Sequence, residues 1–474
     1  MAYVKKNVET EDVAATDEVG AEQKVKTSAP PVDQSDEIAA LKAQIEMLTK
    51  MMAAGIGAQA TSPAPSSSLL EEVKVVHLRE CLPGTTTHIH LSSRDRDFAS
   101  FGATLTLDRR QAEELAGGTT KKFFDRGVIA FGEGSEELAK TLGVKPETIY
   151  FTSGGTESDQ LALLSVLTKP VKGTVLISSI EHPAIREQAL VLKKCGWNVE
   201  TLKADKLGII TPETVAESLT DDTHLVCVMA VNNETGIIQP INEIADIITE
   251  KTKGKRRPKF HVDCVQAAGK IPLDISHAGI DSAAFSAHKI CGPRGIGILY
   301  FKEATESFLR GGGQEKGIRS GTENVFGALA FSKVLEKYFI SEENKTALNH
   351  YETSMECTRK FVDKLATLKG CSIVPEGRLN KENDKFFSPY VVQAAFKNIP
   401  GQVMLRALDA RDICISTGSA CSTKKANRPV LEAMHIPGDI RETAVRFSFG
   451  PLTKPEDIDA LFEAVSEVNG TFNK

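Results

Sequence analysis

Residues His261 to Gly297 read HVDCVQAAGKIPLDISHAGIDSAAFSAHKICGPRGIG, and the fold follows from how that stretch is parsed. An apolar run ends in Asp263, and a second strand-like run, Ser282-Ala283-Ala284-Phe285, leads into Ser286-Ala287-His288-Lys289. Asp263 and Gln266 at one strand end, with Ser-x-His-Lys at the next, suit a particular task. They can hold a pyridine ring by its nitrogen while a lysine forms an imine with its aldehyde. A lone lysine is ordinarily a solvated surface group. Lys289 differs because small or apolar residues precede it and a Gly/Pro-rich turn follows.

Outward from this stretch the pattern is regular. Glu136 to Leu142 reads as a helix, Thr148 to Thr152 as a strand, and a helix starts at Glu157 after a Gly-rich turn. Strands at Val175–Ser178, Leu225–Met229 and Lys259–Val262 alternate with helical stretches. Such a βαβ series predicts an α/β domain over 136–335, with a mostly parallel sheet flanked by helices on both faces. Beyond it, over 336–474, a long helical region, a strand near Tyr390–Gln393 and a final helix from Pro455 predict a smaller α+β domain.

The N-terminal third reads differently. Residues 1 to about 34 are polar, as in a disordered arm. Ser35 N-caps an expected helix over 35–52, where Ile38, Leu41, Ile45, Leu48 and Met52 repeat at 3-4-3-4 spacing. The choice stays open between a helix docking on its own chain and one that joins two chains. A linker of small residues and proline completes the segment 1–70. Over 71–135 the sequence predicts strands at Val73–His77 and Thr104–Leu107 and a helix from Arg109 to Leu115. His88 and His90 lie two apart on a strand with no third ligand near, so they read as a solvent-facing pair and no metal site is expected.

Composition bounds the function. A chain of 474 residues with 41% hydrophobic and 25% charged residues is an ordinary globular protein of two or three domains. A net charge of −6 leaves no electrostatic footprint for nucleic acid. Nine cysteines without a C-x-x-C pair argue against a zinc ribbon or a disulfide framework and fit a reducing compartment. With no long apolar run and no apolar leader, neither a membrane span nor a secretory signal is expected, and the location is expected to be cytoplasmic.

Further polar motifs sit at strand ends, where open α/β sheets place ligand contacts. Ser153-Gly-Gly-Thr-Glu-Ser158 offers glycines and a helix N-terminus to an anion. Glu181-His182-Pro183 brings an imidazole able to stack on a flat ring, and Asn232-Asn233-Glu234-Thr235-Gly236 follows another strand. Taken singly, each is a capped turn. Together with GGGQEKGIRSGTEN, STGSACS and VRFSFG, in this order, the chain from about residue 145 to 450 resembles the class V aminotransferases, most closely their cysteine desulfurase branch.

The resemblance implies a fold-type-I enzyme of pyridoxal 5'-phosphate (PLP), with Lys289 as its Schiff-base lysine. Asp263 would pair with the ring nitrogen, Gln266 would bond the ring phenolate, and His182 would stack on the ring face. Gly155, Thr156, Ser286 and His288 would hold the phosphate, with Thr322 reaching it from the second subunit of a homodimer. Asn233 would lie near substrate and phenolate, and Arg446 would clamp the substrate carboxylate in a fork. The catalytic set would be Cys421, Lys289 and His182. Cys421, in a Gly/Ser/Ala loop bordered by Lys424 and Lys425, has surroundings that favour thiolate, whereas Cys227 and Cys414 read as core fillers. The implied reaction converts L-cysteine to L-alanine and leaves a persulfide on Cys421. Sulfur would pass to an acceptor protein, an iron–sulfur scaffold or a tRNA thiolation enzyme.

The family's usual N-terminal strand and its Asn-Ala-Ala-Thr-Thr loop have no counterpart before Thr148, and Pro83-Gly-Thr-Thr-Thr87 is a poor substitute. Residues 71–135 are therefore a diverged family segment or an appended module, and the linker before them favours the second. Two rival functions remain: a selenocysteine lyase, which shares the lysine and the loop cysteine, and a scaffold protein built on an impaired PLP fold.

Overall fold

A computed structural model describes residues 135–418 and 428–473 in full, and residue 134 and five earlier strands by their backbone. The expected helices at 35–52 and 109–115, Pro83-Gly-Thr-Thr-Thr87 and the Cys421 loop with Lys424 and Lys425 lie outside the described residues. The chain divides into two units, Met1–Ser68 and Leu69–Lys474, and all that follows concerns the second.

Five short strands come first: β1 (Glu72–His77), β2 (Thr87–His90), β3 (Asp95–Phe98), β4 (Thr104–Asp108) and β5 (Ile129–Phe131). β1 pairs antiparallel with β4 and β5, and β2 with β3. The strands expected at 73–77 and 104–107 are thus present, and His88 and His90 lie in a hairpin.

The larger sheet's segment starts with α1 (Gly134–Leu142), β6 (Ile149–Thr152) and α2 (Gly155–Leu164). It continues through β7 (Thr174–Ser178), α3 (Pro183–Lys194), β8 (Asn198–Leu202), α4 (Pro212–Ser218), β9 (Thr223–Cys227) and α5 (Ile241–Lys251). It closes with β10 (Lys259–Asp263), β11 (Ser282–Ser286), β12 (Gly297–Phe301) and α6 (Val325–Tyr338). The strands form one seven-stranded sheet in the order β6-β12-β11-β10-β9-β7-β8. All run parallel except β12, which is antiparallel to both neighbours. Every residue of β7, β11 and β12 is buried. Strands covered on both faces read as unbroken runs because no face is left for water. Phe260, Val262, Ala283, Phe285 and Ile298 sit in the largest core cluster, with Ile244 and Phe331 from the covering helices.

The remainder builds α7 (Lys345–Ala366), β13 (Cys371–Val374), β14 (Val391–Phe396), α8 (Gly401–Asp409), α9 (Pro429–Ala433), α10 (Gly438–Thr443), β15 (Ala444–Ser448) and α11 (Pro455–Phe472). β14 lies between β13 and β15 in a three-stranded antiparallel sheet. Its own core joins Phe361 of α7, Phe396, Phe447 and Val465 of α11. Among the described residues no helix is long and apolar enough to cross a membrane. One expectation is corrected: Cys227 is buried, but Cys414 is exposed, because it lies in the extended link between α8 and the bridge from Ser416 to Arg446.

Candidate active site

The first wall of the site is a glycine contact. After β6 the chain turns through Gly154, whose φ of 152° is open to glycine alone, and enters α2. A Cβ on Gly297, the first residue of β12, would lie 2.6 Å from the Gly154 Cα, and one on Gly155 would lie 2.6 Å from Val265 Cγ2. The absence of side chains at these points lets β12 and the α2 N-terminus come together. Ser158 Oγ then links them, donating to the Ile298 carbonyl at 3.0 Å and lying 2.8 Å from Thr152 Oγ1.

The ends of β7 and β9 supply the next groups. His182 caps α3 by accepting the Ala184 N–H on Nδ1 at 3.1 Å. That bond leaves the ring proton on Nε2. Asn232 shapes the turn after β9: its Oδ1 accepts the N–H groups of Glu234 and Thr235, both at 2.9 Å, and its Nδ2 donates to the Ile180 carbonyl. Asn233 is set beside it with a buried Oδ1 that has no partner among the described residues.

β10 and the β11–β12 connection complete the cavity. Asp263 ends β10, and its Oδ1 accepts the Val265 N–H at 2.9 Å. Ser286 ends β11, and His288 and Lys289 lie on the 3-10 turn that follows it, Ala287–Ile290, with Ser286 Oγ 2.8 Å from His288 Nδ1. Gly155, Thr156, His182 and Asn233 line one cavity of about 290 Å³. Asp263, Gln266, Ser286, His288, Lys289 and Arg446 line the same cavity. Arg446 arrives from β15 of the small sheet and donates to the Asn233 carbonyl at 2.8 Å.

The cavity's electrostatics are set by burial. Asp263 is pushed up to about 8 by burial and then by the neighbouring Asp159, with the Val265 N–H and the cations nearby opposing. His182 is pushed down to about 4 by burial, then by Lys289 and Arg186, so its imidazole is neutral. Behind Asp263, His261 Nε2 lies 3.1 Å from Asp159 Oδ1 and its Nδ1 lies 2.8 Å from Ser282 Oγ. Burial holds His261 down to about 4 and raises Asp159, so burial opposes charge on both partners of this contact. Glu181 is also raised by burial, while its Oε1 accepts from Ser178 Oγ at 2.6 Å and the Met229 N–H at 2.7 Å.

Glu234 is buried beneath Arg446, and burial raises its carboxyl against the pull of Arg428, Arg446 and Arg186. Arg428 Nη2 lies 3.8 Å from it. Gln393 joins the two sheets in the orientation that serves both ends of its amide. Its Nε2 donates to the Glu234 carbonyl at 2.7 Å and its Oε1 accepts from Arg428 Nη2 at 2.5 Å.

Ten of the sequence-predicted residues therefore share one cavity. Thr322 does not line it and is exposed, and Cys421 lies outside the described residues. Sequence reasoning missed Asp159, Met229 and Val265 on the lining, and His261, Glu181 and Glu234 behind it. Asp159 had one usable signal, a position one turn beyond Thr156 on the same helix; His261 had none, being one polar residue inside an apolar strand.

The family model for Aminotransferase class-V matches residues 120–461. The NifS/IcsS protein homolog of Lactobacillus delbrueckii subsp. bulgaricus is 36% identical over 367 residues, covering 74% of this chain and 89% of that relative. Cysteine desulfurase IscS of Methanosarcina thermophila is 36% identical over 340 residues, covering 70% of this chain and 80% of that one. A solved NifS-like protein superposes with a TM-score of 0.63 at 31% identity, over 71% of this chain and 87% of its own. The chain belongs to the class V aminotransferase family, within its cysteine desulfurases.

Proposed function

We propose that this chain is a PLP-dependent cysteine desulfurase that takes sulfur from L-cysteine, releases L-alanine and hands the sulfur on from Cys421. The observation that carries the reading is the meeting of Lys289, Asp263, His182 and Arg446 in a single cavity of about 290 Å³.

The residues fit the cofactor on three counts. The buried Asp263 carboxyl sits at about 8 and gains a cation if a protonated ring nitrogen docks on it. The buried Asn233 Oδ1 lacks a partner that a ligand donor would supply. The α2 N-terminus, entered through the Gly154–Gly155 turn and lining the cavity at Gly155 and Thr156, offers backbone N–H groups to a phosphate.

Lys289 would hold the cofactor covalently, Asp263 would keep the ring nitrogen protonated, and His182 would lie on the ring. Gly155, Thr156, Ser286 and His288 would bind the phosphate, and Gln266 would donate to the ring oxygen. Bound there, PLP supplies an electron-poor ring that takes up the electron pair left when the substrate loses its α-proton. Arg446 and Asn233 would orient the substrate, Arg446 by pairing with its carboxylate. Cys421 thiolate would then attack the substrate sulfur. An S–S bond forms as the carbon–sulfur bond breaks, and the carbon left behind takes up a proton and becomes alanine. The sulfur waits on Cys421 for an acceptor protein, an iron–sulfur scaffold or a thiolation enzyme. A homodimer in which Thr322 of the second subunit reaches the phosphate is part of the same proposal. Phe326, four residues on and 74% exposed, supports a partner face there.

Alanine and sulfide release from L-cysteine, followed with the absorbance of the bound cofactor, tests the reading. Lys289→Ala is expected to lose both the imine band and all turnover. Cys421→Ser is expected to keep the band and release no sulfide. A Lys289→Ala protein that keeps a borohydride-reducible imine, or a Cys421→Ser protein that releases sulfide at the wild-type rate, overturns the corresponding assignment.

A further inference from the structure

One buried lysine beside the cavity has no part in the reaction above. We propose that Lys270 is a positioning residue: it selects which end of the Gln266 amide faces the cofactor. The proposal rests on reading the cavity as a PLP site.

Gln266 and Lys270 lie four residues apart in a run of tight turns after β10, where Ala268 N–H bonds the Cys264 carbonyl at 3.0 Å and Ile271 N–H bonds the Ala267 carbonyl at 3.1 Å. That spacing puts both side chains on one face. Lys270 is only 8% exposed, and its Nζ donates to Gln266 Oε1 at 2.6 Å. Among the described residues no carboxylate forms a salt bridge with it. Its charged neighbours include Lys289 and Arg446, which, after burial, hold it down to about 7. A lysine in that setting stabilises no ion pair. Its specific contact is the amide oxygen.

The contact has a consequence because the two ends of a glutamine amide are nearly equal in size and opposite in chemistry. An N–H donor claims the oxygen, so the Nε2 hydrogens are left for the cavity that Gln266 lines. A ring oxygen carrying negative charge needs a donor there. With Lys270 absent, either end of the amide could face it, and the oxygen end would repel it.

The full-length, cofactor-loaded protein tests this by the pH titration of its imine absorbance, which reports how well the ring oxygen's charge is held. Lys270→Met is expected to raise the titration midpoint by about 0.4–1 pH unit, the size of one lost hydrogen bond. Gln266→Leu is expected to raise it similarly, and the double variant to go no further than Gln266→Leu alone. Lys270→Arg, which keeps a donor, is expected to stay near the wild-type midpoint. An unshifted Lys270→Met midpoint, or shifts that add in the double variant, would show that Lys270 does not act through Gln266. If Lys270→Met loads no cofactor, Lys270→Gln is titrated in its place, and a shift as large as that of Gln266→Leu overturns the proposal. A wild-type protein without an imine band sinks the PLP reading itself, which separates the two failures.

Discussion

Asp263 ends β10 with its carboxyl held at about 8, while an unfolded aspartate titrates near 4. Between about pH 4 and pH 8 the folded, cofactor-free protein therefore keeps a proton that the unfolded chain has lost. The stability this residue contributes is complete below that window and falls as pH rises through it, by at most about 1.4 kcal/mol per pH unit. His182 and His261, both held at about 4, act oppositely, losing stability as pH falls from about 6.5 toward 4. Both are present in wild type and variant, so the difference between the two reports Asp263 together with its coupling to His261. Asp263→Asn is thus expected to gain in Tm over the wild-type apoprotein as pH is raised from 5 to 8 and to gain no more above it. A Tm difference constant across that range would mean that Asp263 titrates as an ordinary surface carboxylate. Asp263 and Lys289 were legible in the sequence because each is a polar group closing an apolar run at a strand end. Lys270 was not, since a lysine after Ala-Ala-Gly reads as a solvated turn residue and nothing local shows that the turn is roofed over. The exposed Cys414 misled for the converse reason, with apolar neighbours in sequence and none above it in space.

The reversed strand matters most at the scale of elements. β12 enters the sheet against the direction of β6 and β11, so its first residue, Gly297, stands beside the turn that opens α2. Gly297→Ala would place a methyl group within 2.7 Å of the Gly154 carbonyl carbon and the Phe285 carbonyl oxygen. Backbone on both sides has little room to move, and overpacking of this kind costs about 1–3 kcal/mol. The expected outcome is a lower Tm together with weaker retention of PLP, read by dialysis against phosphate. Loss of stability with unchanged retention would separate the glycine contact from the anion cradle. The alternation of strands and helices made the parallel part of the sheet legible. The reversal was hidden because β11 and β12 are joined without a helix, and a buried strand carries the same apolar run in either direction.

At the scale of the whole molecule, Met1–Ser68 separates from Leu69–Lys474 as a unit of its own. Removing residues 1 to about 70 is expected to leave cofactor absorbance and turnover intact and Tm within about 2 °C. The number of chains in the assembly, read from solution mass, is expected to be unchanged or smaller. Aggregation or loss of cofactor would show instead that the enzyme needs the segment. The architecture from residue 136 onward was readable because its motifs fall at successive strand ends, whereas residues 71–135 carry short strands without such punctuation. The two sheets meet at the cavity through one side chain above all, Arg446, which β15 extends to the Asn233 carbonyl. The large sheet gathers nearly everything that would grip the ring, and the small sheet supplies the guanidinium that would read the incoming amino acid. On the proposed roles, the grip on the ring and the grip on the guest's carboxylate are thus written in separate stretches of chain. A substitution on β15 is then expected to change which molecule is admitted while the groups around the ring stay as they were.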